Sequence, residues 1–289
     1  MTLIAIVIAL FLERVLSYSP QWRTHSLTDR WIRLVDDRIG PRAWSLAVYV
    51  LLPVAVIATL QYSIVELPAG EVLILPLALV VLLACLGPRD LREEVHSYEA
   101  AVRRGDDALA ETLLRDLLTG PLRHDGPTSG RSPVAACFVQ GHERWFAVLL
   151  WFFVLGLPGA VAYRMLASVA CHLGHAGRDD ESQRLAEMLH GAMAWPSARA
   201  AALLYALAGS ADHAFARWRE WASNYDGDWV RSAWPLLAQT GLAALARDPQ
   251  DDAASGQLEC LDRAVHLLDR SMLILLALLA LLTIGGWMT

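Results

Sequence analysis

An uncharged stretch of the chain covers residues 145–163, WFAVLLWFFVLGLPGAVAY, with Glu143-Arg144 before it and Arg164 after it. A run of this length matches the roughly 20 apolar residues that carry a helix across a bilayer. In its middle stand Gly156, Pro158 and Gly159. The proline removes one backbone donor, and in lipid such a break persists only where neighbouring helices or a wet cavity satisfy the freed groups. The pattern predicts a discontinuous helix packed inside a bundle. Polar residues at the ends of a broken helix often mark a site, and a plain structural kink is the alternative.

Other apolar runs follow the same logic. Residues 1–12 span about 18 Å as a helix, short of the roughly 30 Å hydrocarbon core. They predict a helix buried against the bundle or lying in the interface, and without a basic leader they make a poor signal peptide. Glu13-Arg14 closes this run as a solvated helix end. Residues 43–65 form the first full span, with Trp44 as an interfacial anchor. Residues 72–87 form a second, shorter span containing Pro76, and 272–288 form the last. Residues 191–208 are apolar except for Arg199. A central arginine costs about 2.5–3.5 kcal/mol on insertion, and each leucine returns only about 0.5. That segment spans only if Arg199 finds a partner, which would make the arginine a functional candidate. Otherwise Arg199 snorkels to an interface near Trp195.

The polar segments show helical periodicity. Residues 21–42 are rich in arginine, and Trp31, Leu34 and Val35 give them a small apolar face suited to a membrane surface. Residues 89–118 read as two helices, with stripes Leu91, Val95, Tyr98, Val102 and Leu109, Leu113, Leu117, broken at Gly105-Asp106. Residues 119–133 are a Gly/Pro/Ser/Thr loop. In 178–190 the apolar side is Leu185, Met188 and Leu189. In 210–225 it is Phe215, Trp218 and Ala222. Leu258, Leu261, Val265 and Leu268 form one more stripe, while 224–228 and 248–256 read as a turn and a loop. No fixed-period repeat supports a solenoid. The chain therefore divides into 1–42, 43–87, a cytoplasmic hairpin and loop over 88–144, the broken helix with the Arg199 helix over 145–209, a helical soluble region over 210–271, and a terminal transmembrane helix over 272–289.

Composition sharpens the class. Of 289 residues, 55% are hydrophobic and 19% charged. Mean hydropathy is +0.37. This is an all-α polytopic membrane protein, with four to five membrane-embedded helices and amphipathic cytoplasmic helices. The net charge of −6 gives no basis for nucleic-acid binding. All 24 basic residues are arginine, which excludes a Walker A lysine, a Schiff base and a lysine general base. Cys85, Cys137, Cys171 and Cys260 are scattered and indicate neither a disulfide nor a zinc framework. Cys171 and His172 with His175 are a weak metal signal, so no metal, cofactor or catalytic set is assigned.

Arginine asymmetry sets orientation. Arginines populate 1–42 and 88–144, whereas the connector 66–71 has none. The positive-inside rule puts the first two segments in the cytoplasm and the connector outside. A full crossing at 145–163 would then export the arginine-rich region before the last span. A re-entrant hairpin at the break, or a true span at 191–208, keeps that region inside, which is the favoured arrangement. An external domain is the remaining solution.

Three patterns carry a family resemblance. One is Glu143-Arg144-Trp145-Phe146-Ala147-Val148 running through Trp151-Phe152, Gly156 and Gly159-Ala160 to Tyr163-Arg164. Another is Trp195-Pro196-Ser197-Ala198-Arg199 followed by an apolar run to Gly209. The third is the N-terminal apolar helix ending in Glu13-Arg14. Together they resemble the AmpE family of bacterial inner-membrane proteins over nearly the whole chain. The resemblance implies a modulator of β-lactamase induction tied to muropeptide recycling and functionally linked to the AmpD amidase. Its partner is the lipid bilayer, and oligomerisation is compatible with the class. The chain is also distantly similar to the CobD/CbiB membrane proteins of cobalamin synthesis, whose Pro-x-Arg is matched by Pro196 and Arg199 with one residue of slack. Where those proteins carry Asn-Thr-Leu-Asp, this chain has Ala167-Ser168-Val169-Ala170, without amide or carboxylate. The first expectation is thus a non-catalytic modulator. The alternative is an enzyme on the synthase scaffold, with a polar pocket of Glu13, Arg14, Glu143, Arg144, Arg164 and Arg199 for a phosphate- or carboxylate-bearing substrate. A transporter ranks last, for want of spans and of an internal repeat.

Overall fold

The computed structural model describes residues 2–16, 27–39, 44–68, 70–86, 91–118, 132–175, 181–246 and 254–285. Every regular element among the described residues is helical. In chain order they are α1 (Thr2–Leu16), α2 (Leu27–Ile39), α3 (Ser45–Val65) and α4 (Gly70–Cys85). Then come α5 (Leu91–Arg104), α6 (Asp107–Leu117) and α7 (Pro133–Gly141). A π-helical turn (His142–Phe146) leads into α8 (Ala147–Leu155), α9 (Leu157–His175) and α10 (Glu181–Ala208). Next are α11 (Ala211–Asn224), a 3₁₀ turn (Trp229–Ser232), α12 (Ala233–Ala244) and α13 (Ala254–Ile284). The chain folds as two compact units, Met1–Arg89 with Ala147–Met193, and Asp90–Phe146 with Ala194–Thr289.

In the first unit α4 packs on α1, α3 and α9, and α2 packs on α3 and α9. The buried stripe of α4 is Ala78, Val81, Leu82 and Cys85, the i, i+3, i+4, i+7 pattern of one helical face. On α3 burial is confined to Ser45, Leu46, Tyr49 and Val50. The rest of that helix presents Leu51, Val56, Leu60 and Val65 outward, and only 11% of its most apolar window is buried. A soluble protein rarely leaves so long an apolar surface open to water. A helix in lipid does so by necessity. Two described helices, Ser45–Val65 and the Gly256–Ile284 part of α13, are long and apolar enough to cross a membrane. Leu3–Glu13 and Val72–Cys85 are shorter apolar helices.

The uncharged run over 145–163 is not one helix. α8 ends at Leu155, Gly156 adopts φ +70, and α9 starts at Leu157. The two helices fold back on each other. A Cβ on Gly159 would stand 2.5 Å from the Trp151 carbonyl oxygen, although eight residues of straight helix would separate them by about 12 Å. Gly156 serves the turn because its left-handed backbone is costly for any residue with a Cβ. Its virtual Cβ also sits 3.3 Å from the Gln61 side-chain amide. Gly156→Ala is expected to lower stability by about 1–2 kcal/mol, and Gly156→Asn by less. Denaturant titration of the detergent-solubilised protein checks this, and equal loss from both variants would contradict it.

In the second unit α7 is the centre. All its residues from Pro133 to Gly141 are buried, and it packs against α5, α6, α12 and α13. Ser132 caps its start by accepting a hydrogen bond from the Ala135 amide at 3.4 Å. α5 and α6 form a hairpin, with Asp106 capping α6 through the Leu109 amide at 3.1 Å.

Several expectations change here. Glu13 is 7% exposed, so α1 does not end in a solvated carboxylate. On α2 the buried residues are Ile32 and Val35, while Leu34 faces outward. On α11 Ala214 is buried, and Phe215 and Ala222 are exposed. Residues 181–190 and 191–208 form the single helix α10, which runs through Pro196. Likewise α13 continues without interruption past residue 272. No breaker separates Arg270 from Met272, and Leu261, Ala264, Leu268, Ser271, Leu275 and Leu279 make one buried stripe along the helix. The Ser271 hydroxyl donates back to the Leu267 carbonyl at 2.8 Å. The loop expected over 119–133 lies, up to residue 131, outside the described residues, as do Trp287 and most of 248–256.

Candidate functional site

The π-helical turn His142–Phe146 inserts one extra residue into the ladder between α7 and α8, a device frequent at functional sites. Widening the turn sends successive side chains to different partners. His142 is completely buried, with Nε2 2.9 Å from the Ser197 Oγ. The Ser197 hydroxyl donates to the Ala194 carbonyl at 3.1 Å. A hydroxyl has one proton, so the histidine Nε2–H is the donor of the pair. Glu143, also buried, accepts a 2.8 Å hydrogen bond from the Trp234 indole N–H on α12.

Arg144 turns toward α5. One guanidinium N–H meets the Glu94 carboxylate at 2.8 Å, and its Nε–H donates to the Gln140 side-chain oxygen at 3.2 Å. Both ion-pair side chains are 12% exposed. Gln140 in turn donates to the Leu117 carbonyl of α6 at 3.0 Å. A second ion pair joins Arg92 on α5 to Asp269 on α13, and the Arg92 guanidinium lies 6.0 Å above the Trp145 ring. Tyr205 donates its hydroxyl to the Phe138 carbonyl at 2.8 Å, with the Phe146 ring edge-on at 5.6 Å. Burial pushes the Cys137 thiol up to about 12, so this cysteine is no thiolate at neutral pH and offers no nucleophile.

Arg199 sits apart from these bonds. Its guanidinium stacks 3.8 Å over the Trp195 ring. It donates to the Trp195 carbonyl at 3.1 Å and to the Ser232 Oγ at 3.3 Å. Ser232 ends the 3₁₀ turn and Trp234 lies in the first turn of α12. Arg199 and Glu143 therefore have partners two residues apart in sequence.

In the first unit Glu13 is buried on α1 and Arg164 is half-buried on α9. Arg164 lies within electrostatic reach of Cys85 at the end of α4. The side chains of Arg14 and His175 lie outside the described residues. His172 Nε2 is 2.7 Å from one Asp36 oxygen, and the Tyr49 hydroxyl donates to the other. The Trp31 indole donates to the Tyr49 carbonyl at 3.1 Å, so α2 is tied to both α3 and α9. Among the described residues no His, Cys, Asp and Glu side chains are grouped to hold a metal ion.

Sequence reasoning missed Glu94, His142, Trp234, Asp269 and Asp36. Glu94, Trp234 and Asp269 have partners 50, 91 and 177 residues away, and Asp36 meets His172 across 136, separations that no local spacing reveals. A histidine immediately before Glu143-Arg144 is the one local signal in the sequence. Chemically, the second unit holds a dense set of buried polar groups in which Glu143 and Arg144 are engaged by protein side chains.

The sequence matches the family described as "Regulatory signalling modulator protein AmpE" over residues 1–289. It is 27% identical to the cobalamin biosynthesis protein CobD of Chromobacterium violaceum, over 96% of each chain. It is 24% identical to the protein AmpE of Shigella flexneri, over 99% of each chain. A CobD of Stutzerimonas stutzeri is 28% identical over 78% of this chain and 66% of its own. No solved structure matches. The family match extends from the first residue to the last, through the apolar helices, the π-helical turn and the Arg199 helix alike: the chain belongs to the AmpE family.

Proposed function

We propose that this protein is a multi-pass inner-membrane modulator of β-lactamase induction, coupled to muropeptide recycling and to the AmpD amidase, with no catalysis of its own. The observation that carries the reading is the full-length match to a regulatory signalling family. The engagement of Glu143 by Trp234 and of Arg144 by Glu94 and Gln140 gives both charges structural partners, which fits the non-catalytic part. Four membrane-embedded elements follow if α4 and the folded-back α8–α9 pair, counted as one broken helix, join the two long spans, and α1 would make a fifth. A hairpin at Gly156 returns the chain to the side it came from, which keeps the arginines of 164–271 in the cytoplasm, as the positive-inside rule favours.

The second reading is an enzyme on a synthase-like scaffold, and the 27% identity to a CobD over 96% of both chains favours it. Its substrate would carry phosphate or carboxylate. One comparison separates the two. In a strain lacking this protein, inducer-driven β-lactamase synthesis should lose its normal amplitude and regain it with the wild-type chain. The same chain should fail to restore growth to a CobD-deficient, cobalamin-dependent strain. Unchanged induction in the deletion strain would sink the modulator reading, and restored cobalamin synthesis would establish the enzyme.

A further inference from the structure

We propose that Arg199, Trp195, Trp229 and Ser232 form a binding site for the phosphate of an anionic phospholipid headgroup. The inference rests on the membrane reading and is independent of β-lactamase. Its first ground is an uncompensated charge. Arg199 is half-buried, and its partners among the described residues are a carbonyl, a hydroxyl and an indole face. Among the described residues no carboxylate pairs with it. A guanidinium has five N–H donors, and these contacts engage two. Partly desolvating a cation without a counter-charge is unfavourable. Stacking on an indole offsets part of that cost, and the remaining donors have no acceptor among the described residues.

The second ground is the surroundings. Trp229 is 58% exposed and meets Trp195 edge to face at 6.4 Å. Large amphipathic rings left open in this way are typical of the headgroup level of a bilayer. Below Trp195 and Arg199, the same face of α10 presents Leu203 and Leu207, both exposed, at four-residue intervals. The stripe thus passes from aromatic to cation to aliphatic within about 18 Å. A phospholipid has this order of chemistry, with phosphate at the guanidinium and acyl chain along the leucines. The nearby Asp228 carboxylate is occupied in capping the Val230 amide at 3.1 Å, and the Ser232 hydroxyl spends its proton on the Trp229 carbonyl at 2.5 Å. Planar guanidinium donors suit phosphate oxygens, which makes arginine the recognising group.

The test uses the full-length protein in neutral detergent, with phosphatidylglycerol, phosphatidylcholine of the same acyl chains, or sodium phosphate added. The apparent unfolding midpoint is followed against concentration. Phosphatidylglycerol should raise the midpoint beyond the phosphatidylcholine effect. Arg199→Gln should weaken that response by about tenfold in concentration, the loss expected for a charge-assisted hydrogen bond. Trp229→Ala, at an exposed position, should weaken it in the same direction and remains informative if the Arg199 variant fails to fold. A wild-type response in either variant overturns the proposal. So does an equal response to phosphatidylcholine, or one that sodium phosphate reproduces, because the site would then read free phosphate.

Discussion

Arg144→Met is expected to destabilise the second unit by about 3–5 kcal/mol, the range for removing one partner of a buried ion pair. Glu94 is 12% exposed, and its carboxylate lies 2.8 Å from the guanidinium. Deleting the arginine leaves that charge without its counter-ion and also strips the Gln140 oxygen of a 3.2 Å donor. The size of the loss does not mean that the pair itself contributes as much. Desolvating two charges offsets most of their attraction, and well-packed apolar replacements of a buried pair are often neutral. The double variant Arg144→Met, Glu94→Met should therefore recover most of what the single variant loses. Denaturant unfolding of both proteins in the same mixed micelles decides the matter. Additive losses in the double variant would show that Arg144 acts through something other than Glu94.

The same pair shows where sequence reading stops. The uncharged run over 43–65 needs no tertiary information to announce a helix, because the bilayer requires only length and apolarity, and α3 is that helix. Helix α7 is different. It is nine residues long and wholly buried, and its VAACFVQG segment has neither the length of a span nor the alternating face of an amphipathic helix. Periodicity has nothing to detect when every face is inside. In α13 the stripe over 258–268 and the apolar run from 272 belong to one continuous helix, which composition alone does not reveal. The polar residues Asp269 and Arg270 interrupt the composition but not the helix, since the buried face passes through Ser271, and Asp269 finds Arg92.

Candidate site residues were legible as residue types and not as partnerships. Glu143 and Arg144 stand out as charges flanking an apolar run. That they diverge, one to Trp234 and the other to Glu94, follows from the π-helical turn and from contacts 91 and 50 residues away. For Arg199 the sequence allows two readings, a paired intramembrane charge or a cation reaching an interface beside Trp195. The structure stacks its guanidinium on the Trp195 ring. Spacing sufficed there because an arginine four residues after a tryptophan shares its helical face. The buried Glu13 carries no such signal in the sequence, where its position on α1 resembles that of any solvated helix end.

Gly209→Ala is the second change expected to have a large effect, and its cause is space alone. A Cβ at this position would fall 2.4 Å from the Ala244 carbonyl oxygen and 2.7 Å from a Leu267 methyl. The leucine can rotate away, whereas the carbonyl cannot, because it also accepts the Ser210 amide at 2.8 Å. This glycine is the point where the end of α10 meets the ends of α12 and the middle of α13. One methyl group must push the helices apart or break the Ser210 bond. Overpacking of this kind costs about 1–3 kcal/mol, and a lost backbone hydrogen bond adds about 1. Gly156→Ala is the comparison that separates the two uses of glycine. There the cost comes from the left-handed backbone at φ +70 and the nearest neighbour is the tip of the Gln61 side chain, so Asn should relieve it. At Gly209 Asn should be worse than Ala, because volume and not backbone freedom is what the position forbids. Unfolding midpoints of the four variants in one detergent give the ranking. If Asn proves milder than Ala at Gly209, the close approach of the Ala244 carbonyl is not what the glycine is there to permit.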